Sequence, residues 1–386
     1  MSYLEKLLNG VEVEWKTLSE VCEIIRGVRV TKKDLIINGK YPVVSGGIGY
    51  MGYVNEYNRD ENTITIAQYG TAGYVKWQTE KFWANDVCFC VNPNIDIILN
   101  RYLYFYLINK QQYLYEISNR TAVPYSIDRN KILKLQIPIP PLSVQKEIVR
   151  ILDSFTELTA ELTAELTARK KQYNYYREKL LSFEGVEVEW KTLGWVGEVR
   201  MCKRIFKNQT SDSGDIPFFK IGTFGKEPDS YISRETFDEY REKYNYPRVG
   251  EVLISASGTI GRSVIFNGEE AYFQDSNIVW LENDESKVLN KYLFYFYQVA
   301  NWNISDGGVI KRLYNDNIKN TQIPIPYPNN PEKSLAEQAR IVSILDKFDT
   351  LTTSISEGLP KEIELRKKQY EYYRDLLLTF PKNKIE

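Results

Sequence analysis

The chain of 386 residues contains no histidine. The commonest general base and the commonest metal ligand are therefore missing. Its four cysteines, Cys22, Cys88, Cys90 and Cys202, form no CxxC pair. A zinc finger or zinc ribbon is not expected, and the thiols read as small buried hydrophobes in a reducing compartment. No apolar run approaches the length of a membrane span. The opening MSYLEKLLNGVEVEW carries acidic residues early and lacks a signal peptide's apolar run and cleavage site. A cytoplasmic protein is expected. A basic excess is lacking too, since 50 Lys and Arg face 51 Asp and Glu. Nucleic-acid binders usually show such an excess, so any case for DNA must rest on where the charges sit.

Catalytic motifs are also missing. Gly47–Gly52 reads GIGYMG, a formal GxGxxG, but VNEYNRDEN follows it and leaves no room for the helix that a dinucleotide loop needs. A turn between strands accounts for it better. There is no GxxxxGK[ST] loop for ATP and no NPP[FY] motif of adenine methyltransferases; Asn92–Asn94 reads NPN. No serine or cysteine has a candidate base partner. Carboxylate–lysine clusters such as Glu14–Lys16 or Glu285–Lys287 are tripeptides that chance supplies. No catalytic residue, metal site or cofactor of its own is expected.

What the chain does have is 29 tyrosines, a residue suited to wet interfaces and to strand and helix surfaces alike, and a tandem repeat. GVEVEWKTL occurs at Gly10–Leu18 and at Gly185–Leu193. QIPIP occurs at Gln136–Pro140 and Gln322–Pro326. QKEIVRILDSFTELT (Gln145–Thr159) matches QARIVSILDKFDTLT (Gln338–Thr352), and RKKQYNYYREKLLSF (Arg169–Phe183) matches RKKQYEYYRDLLLTF (Arg366–Phe380). The offsets grow from 175 to 197 residues, so the second copy carries insertions. Between these landmarks the copies diverge, apart from YGTAG (Tyr69–Gly73) against SGTIG (Ser257–Gly261) and the aromatic runs at Arg101–Leu107 and Lys291–Tyr297. Near-identical scaffold thus alternates with two variable modules. The opening YLEKLLNGVEVEW also resembles the close of the first repeat, YREKLLSFEGVEVEW, which suits a pseudo-twofold arrangement.

Apolar residues at Val144, Ile148, Ile151, Phe155, Leu158, Leu162, Leu166, Tyr173, Tyr176, Leu180 and Phe183 mark one long helix with a coiled-coil-like stripe. A second stripe runs through Ile341, Leu345, Phe348, Leu351 and Ile355, then Tyr370, Tyr373, Leu377 and Phe380, with Gly358 and Pro360 predicting a break. The expected fold is α+β: two variable modules, 1–140 and 187–328, joined by two long antiparallel helices, 141–186 and 329–386, in a pseudo-twofold coiled coil. Strands are expected at Tyr41–Val44, Thr63–Ala67, Val252–Ala256 and Asn277–Trp280, with short helices at Arg101–Asn109 and Lys291–Val299.

In this order, twice over, EWKTLSEVCEIIRG (Glu14–Gly27), IPFFKIGTF (Ile216–Phe224), GEVLISASGTIG (Gly250–Gly261), QIPIPPLSVQKEIVRILDSF (Gln136–Phe155) and the tail from Leu351 to Leu378 resemble specificity subunits of type I restriction–modification enzymes. The iteration LTAELTAELTA at Leu158–Ala168 is similar to a device of one branch of that family. The resemblance covers nearly the whole chain. It implies a non-catalytic subunit whose modules each read one half of a bipartite site in double-stranded DNA. The helices would set the spacing and dock two methyltransferase subunits. S-adenosylmethionine would belong to those partners, and ATP and Mg to restriction/translocase subunits. The first module departs from the pattern, with ITIAQYGTAG where the second has LISASGTIG.

Basic and small polar residues on predicted loops are the DNA-binding candidates. In the first module these are Arg26, Arg29, Lys32, Lys33, Ser45, Gly46, Tyr69, Thr71, Lys76 and Arg120. In the second they are Lys203, Arg204, Lys207, Lys220, Ser257, Thr259, Arg262, Lys311 and Arg312. A solvated surface charge is the alternative for each cation, and a turn requirement alone could explain the glycines. Two other functions stay open here: a two-headed protein–protein adaptor, which the near-neutral charge favours, and an enzyme with an unrecognised carboxylate site.

Overall fold

The computed structural model describes residues 3–183, 185, 187–302, 312–354 and 356–381. Both modules are built on one plan. In the first, a four-stranded antiparallel sheet runs in the order Cys22–Arg26, Cys88–Pro93, Thr63–Ala67, Val75–Gln78. Beside it lies a three-stranded sheet in which Tyr41–Val44 pairs with Gly52–Val54 on one side and, in parallel, with Trp83–Ala84 on the other. In the second module the corresponding orders are Val199–Arg200, Ile278–Leu281, Val252–Ser255, Ser263–Ile265, and Tyr231–Ile232, Ile216–Phe219, Tyr272–Phe273. The central strands are buried on both faces, Val252–Ser255 and Ile278–Leu281 throughout. This is why they read in the sequence as short continuous apolar runs. GIGYMG covers the turn between Tyr41–Val44 and Gly52–Val54 and ends on the first residue of the second strand. One helix of the second module, Arg234–Lys243, has no sequence signal beyond its Ser233 cap. It buries only Phe237, so it leaves no apolar stripe.

The central helix spans Leu142–Ser182 without interruption. It starts directly after the proline run, with Val144 N–H donating to the Pro141 carbonyl at 2.9 Å. Its buried face differs from the sequence stripe in detail. Leu152 and Leu181 are buried, whereas Leu180 is half-buried and Tyr176 lies at the exposed edge. A helix of 3.6 residues per turn drifts against a 3.5 repeat, so neighbouring rows of the surface take over. The second repeat splits into Pro331–Thr353 and Gly358–Leu378. Gly358 adopts φ +78°, and a Cβ there would collide with the Thr350 carbonyl. Pro360 falls in the first turn of the new helix, where its missing N–H costs nothing. Ile355 lies outside the described residues.

The chain divides into two compact units, Met1–Thr163 with Glu362–Glu386, and Ala164–Lys361. The division falls inside the central helix, so each unit combines one module with long-helix segments from both repeats. In the first unit Phe155 stacks on Tyr373 at 5.3 Å, and Leu377 and Leu378 share a core with Val144, Ile148 and Leu152. The N-terminal Leu4 and Leu8 join that core. In the second unit Tyr173 and Tyr176 stack on Phe348 at 6.2 and 5.6 Å.

The repeated sequence landmarks form one repeated joint. GVEVEWKTL and QIPIP pair as strands: Glu14–Thr17 with Gln136–Ile139, and Val188–Thr192 with Gln322–Pro326. Gln145 binds the start of the aromatic helix Asn100–Asn109, and Gln338 does the same for Asn290–Tyr297. Tyr102 and Tyr292 donate to the Pro138 and Pro324 carbonyls at 3.1 and 2.7 Å. The aspartate of each ILD motif meets a cation of that helix: Arg101–Asp153 and Lys291–Asp346, both 2.6 Å.

Candidate nucleic-acid interface

In the first module four loops are hydrogen-bonded into one surface. Asn85, buried behind them, accepts from Val30 N–H at 2.9 Å and donates to the Val30 carbonyl at 3.1 Å. Its amide also reaches Ser45 Oγ at 3.5 Å. The Gly46 carbonyl accepts from both the backbone N–H and the hydroxyl of Thr71, at 2.9 and 2.7 Å. Gly70 N–H donates to the Tyr125 carbonyl at 3.0 Å, and Tyr69 forms a bridge with Ser126. The loops carrying Arg29 with Lys32 and Lys33, Ser45 with Gly46, Tyr69 with Thr71, and Arg120 thus stand side by side. Gly46 is glycine because a Cβ would collide with the Tyr69 carbonyl.

The cations on this surface are largely free. Arg26, Arg29, Lys32, Lys33, Lys76 and Arg120 make no ion pair among the described residues. Arg26 ends the strand Cys22–Arg26 and Lys76 lies in the strand Val75–Gln78, not on the loops expected for them; Arg26 donates to Gln68 at 2.8 Å. Lys76 lies 4.4 Å over the Tyr50 ring, and Arg120 lies 4.8 and 5.2 Å over Tyr115 and Tyr125. These contacts aim the cations and leave the charge uncompensated. Exposed tyrosines, among them Tyr50, Tyr69 and Tyr125, stand between them.

The second module builds the corresponding surface differently. Strand registers place Ile25 and Arg200 opposite equivalent residues, Cys90 and Trp280, and by the same count Arg204 takes the place of Arg29 and Asp275 that of Asp86. Arg204 Nε meets Asp275 at 2.8 Å, whereas Arg29 and Asp86 make no such pair among the described residues. Lys220 pairs with Asp229 at 2.9 Å, and Lys203 lies 4.9 Å over Tyr244. Arg262 holds its own turn, donating to the Phe224 carbonyl at 3.1 Å and to the Thr259 hydroxyl at 3.4 Å. Ser257 is buried, donates to Asn277 Oδ1 at 2.8 Å and bridges Arg312. Arg312 in turn donates to Asn277 Oδ1 at 3.2 Å and the Ser276 carbonyl at 3.4 Å. Ser257 and Arg312 therefore brace the glycine turn, while Thr259 is exposed at its tip. Lys207 is exposed in a short 3-10 turn, as is Phe206 before it. Lys311 lies outside the described residues. Sequence reasoning missed Asn85 and its counterpart Gln274, which accepts from Ile221 N–H at 3.0 Å. Neither residue belongs to any motif.

Among the described residues no group of three or more Cys, Asp or Glu side chains is placed to hold a metal. No helix there is long and apolar enough to cross a membrane. All four cysteines are free, and burial pushes the Cys22 and Cys202 thiols up to about 12.

The model of the type I restriction modification DNA specificity domain matches this chain twice, over residues 10–169 and 185–365. The chain is 53% identical over 392 residues to a Haemophilus influenzae protein assigned as a type I restriction enzyme specificity subunit, covering 98% of both chains. It is 37% identical over 410 residues to the specificity subunit of the Escherichia coli enzymes EcoR124I and EcoR124II, covering 99% of this chain and 98% of the other. In fold it is similar to the crystal structure of a type I restriction–modification S subunit from M. genitalium, with a TM-score of 0.62 at 17% identity over 99% of this chain and all of that one.

Proposed function

The chain belongs to the type I restriction–modification DNA specificity family, and from that premise we propose that each module reads one half of a bipartite DNA target. The chain acts as a DNA-specificity subunit and is not itself an enzyme. The observation that carries the modular reading is one joint, duplicated almost residue for residue, beneath two unlike loop surfaces. A repeated mount under two different readers is what independent half-site recognition requires, because base choice resides in side chains at base edges and not in the scaffold. Free cations on the first surface supply phosphate contacts despite the near-neutral total charge.

In this reading the long helices set the distance between the half-sites and dock two methyltransferase subunits. Those partners would bind S-adenosylmethionine, and restriction/translocase subunits would use ATP and Mg. The complex would work in the cytoplasm, where its DNA is. The test is reconstitution. The full chain, co-expressed with the methyltransferase subunits, is expected to confer sequence-specific adenine methylation on DNA. Methylation of the same motif by the methyltransferase subunits without this chain would overturn the reading.

A further inference from the structure

The first module carries an apolar side chain at the tip of its recognition surface. Ile48 is 61% exposed, in the loop between Tyr41–Val44 and Gly52–Val54. Met51 N–H donates to the Val43 carbonyl at 2.9 Å and closes the hairpin beneath it. One shoulder of the loop is fixed by the Thr71–Gly46 hydrogen bonds. The other is fixed by Tyr50, whose hydroxyl donates to Glu80 at 3.4 Å while Lys76 covers its ring. Ile48 is thus presented on an anchored loop.

Its neighbours Gly47 and Gly49 are not demanded by the chain. Neither adopts a left-handed φ, and a Cβ at Gly47 would meet nothing nearer than 3.8 Å, at Gly49 nothing within 4 Å. Two bare residues flanking an exposed isoleucine make a narrow finger that can enter a groove. The surrounding loops carry Arg29, Lys32, Lys33 and Arg120, and the strand Val75–Gln78 carries Lys76, all without ion pairs among the described residues, which suits a polyanion.

An isoleucine has no donor or acceptor. The apolar feature that a base edge offers it is the 5-methyl group of thymine in the major groove. We infer that Ile48 reads a thymine methyl in the half-site of the first module; this rests on the DNA-reading function proposed above. The corresponding loop of the second module, 220–230, exposes no large apolar side chain: it opens with a tight turn in which Thr223 N–H donates to the Lys220 carbonyl at 3.0 Å, and its Phe224 is buried.

The test uses the full chain assembled with its methyltransferase subunits and duplexes carrying its own methylated motif. Each thymine of the first half-site is replaced in turn by deoxyuridine, which removes only the methyl group. At one position the unaltered protein is expected to lose about fourfold in affinity, the worth of one buried methyl-sized group. Ile48→Ala is expected to bind the thymine duplex about fourfold more weakly and to lose nothing more on uracil. Ile37→Ala is the control: it is more exposed, at 92%, but lies at the other end of strand Tyr41–Val44, and it should bind like the parent. Three results would each overturn the assignment: a uracil penalty undiminished in Ile48→Ala, no thymine that responds to the exchange, or equal losses in Ile37→Ala and Ile48→Ala. Failure of the unaltered assembly to prefer its own motif would instead refute the DNA-reading function.

Discussion

Gln145, with no solvent exposure, accepts the backbone N–H of Leu99 through Oε1 at 2.8 Å. Its amide donates to the Ile97 and Pro140 carbonyls at 3.0 and 2.9 Å. One side chain thereby ties the module, the strand exit and the long helix together, and Gln338 repeats the arrangement on Leu289 and Lys287. Gln145→Leu keeps the volume but leaves a buried N–H and two carbonyls short of partners. Each such group costs about 1–3 kcal/mol, so the variant should unfold with a loss of about 3 kcal/mol in chemical denaturation. A change under about 0.5 kcal/mol would show that the joint does not depend on it.

The free cations of the first module predict a salt effect. Replacing Arg29, Lys32 and Lys33 with alanine should weaken binding to all sequences alike and flatten the slope of log K against log salt by up to about 0.9 per lost phosphate contact. Arg312→Ala should behave differently. Its guanidinium holds Asn277 and the Ser276 carbonyl, so its loss should loosen the Ser257 turn and lower thermal stability as well as affinity. An unchanged slope for the triple variant would place those cations on a free surface.

The two modules show where sequence reading stopped. Four of the module strands, the aromatic helices, the long helix and the break near Gly358 are legible, because apolar periodicity, glycine and proline act locally; Cys22–Arg26, Val75–Gln78 and Cys88–Pro93, which carry no strict alternation or turn signal of their own, are not. Of the candidate interface, only a set of residue types on loops is legible. Arg29 and Arg204 look alike in sequence, but Asp275 neutralises one of them and Asp86 leaves the other free. That difference depends on loop placement across 71 residues of chain. Ser257 and Tyr69 precede equivalent glycines, yet one is buried and the other is 38% exposed. Asn85 and Gln274 support both surfaces from behind and carry no motif. Arg234–Lys243 was missed for lack of a stripe.

The repeat at Leu158–Ala168 predicts a ruler. Leu158, Leu162 and Leu166 are each half-buried along the uninterrupted helix, and removing one four-residue unit puts Leu166 in the place of Leu162 and keeps the row. Deleting Leu162–Glu165 should shorten the helix by about 6 Å and turn its far end by roughly 40°. The half-sites should then lie one to two base pairs closer, at about 3.4 Å each, with both half-site sequences unaltered. An unchanged gap in the methylated motif would show that this helix does not set the spacing.

The chain alone should transfer no methyl group from S-adenosylmethionine to DNA and should cleave none. Measurable transfer by the purified chain, free of partners, would contradict its non-catalytic role.

Independent reading by the two modules is tested most directly by exchange. Residues Thr192–Thr321 begin on the last residue of strand Val188–Thr192 and end just before its partner Gln322–Pro326, whose register runs from Val188↔Pro326 to Thr192↔Gln322, so another module can be mounted on the same joint. Methylated adenines are then mapped across a genome carrying the hybrid and its methyltransferase subunits. One half of the methylated motif is expected to change while the other half and the gap stay as they were. A hybrid that alters both halves would contradict independent reading.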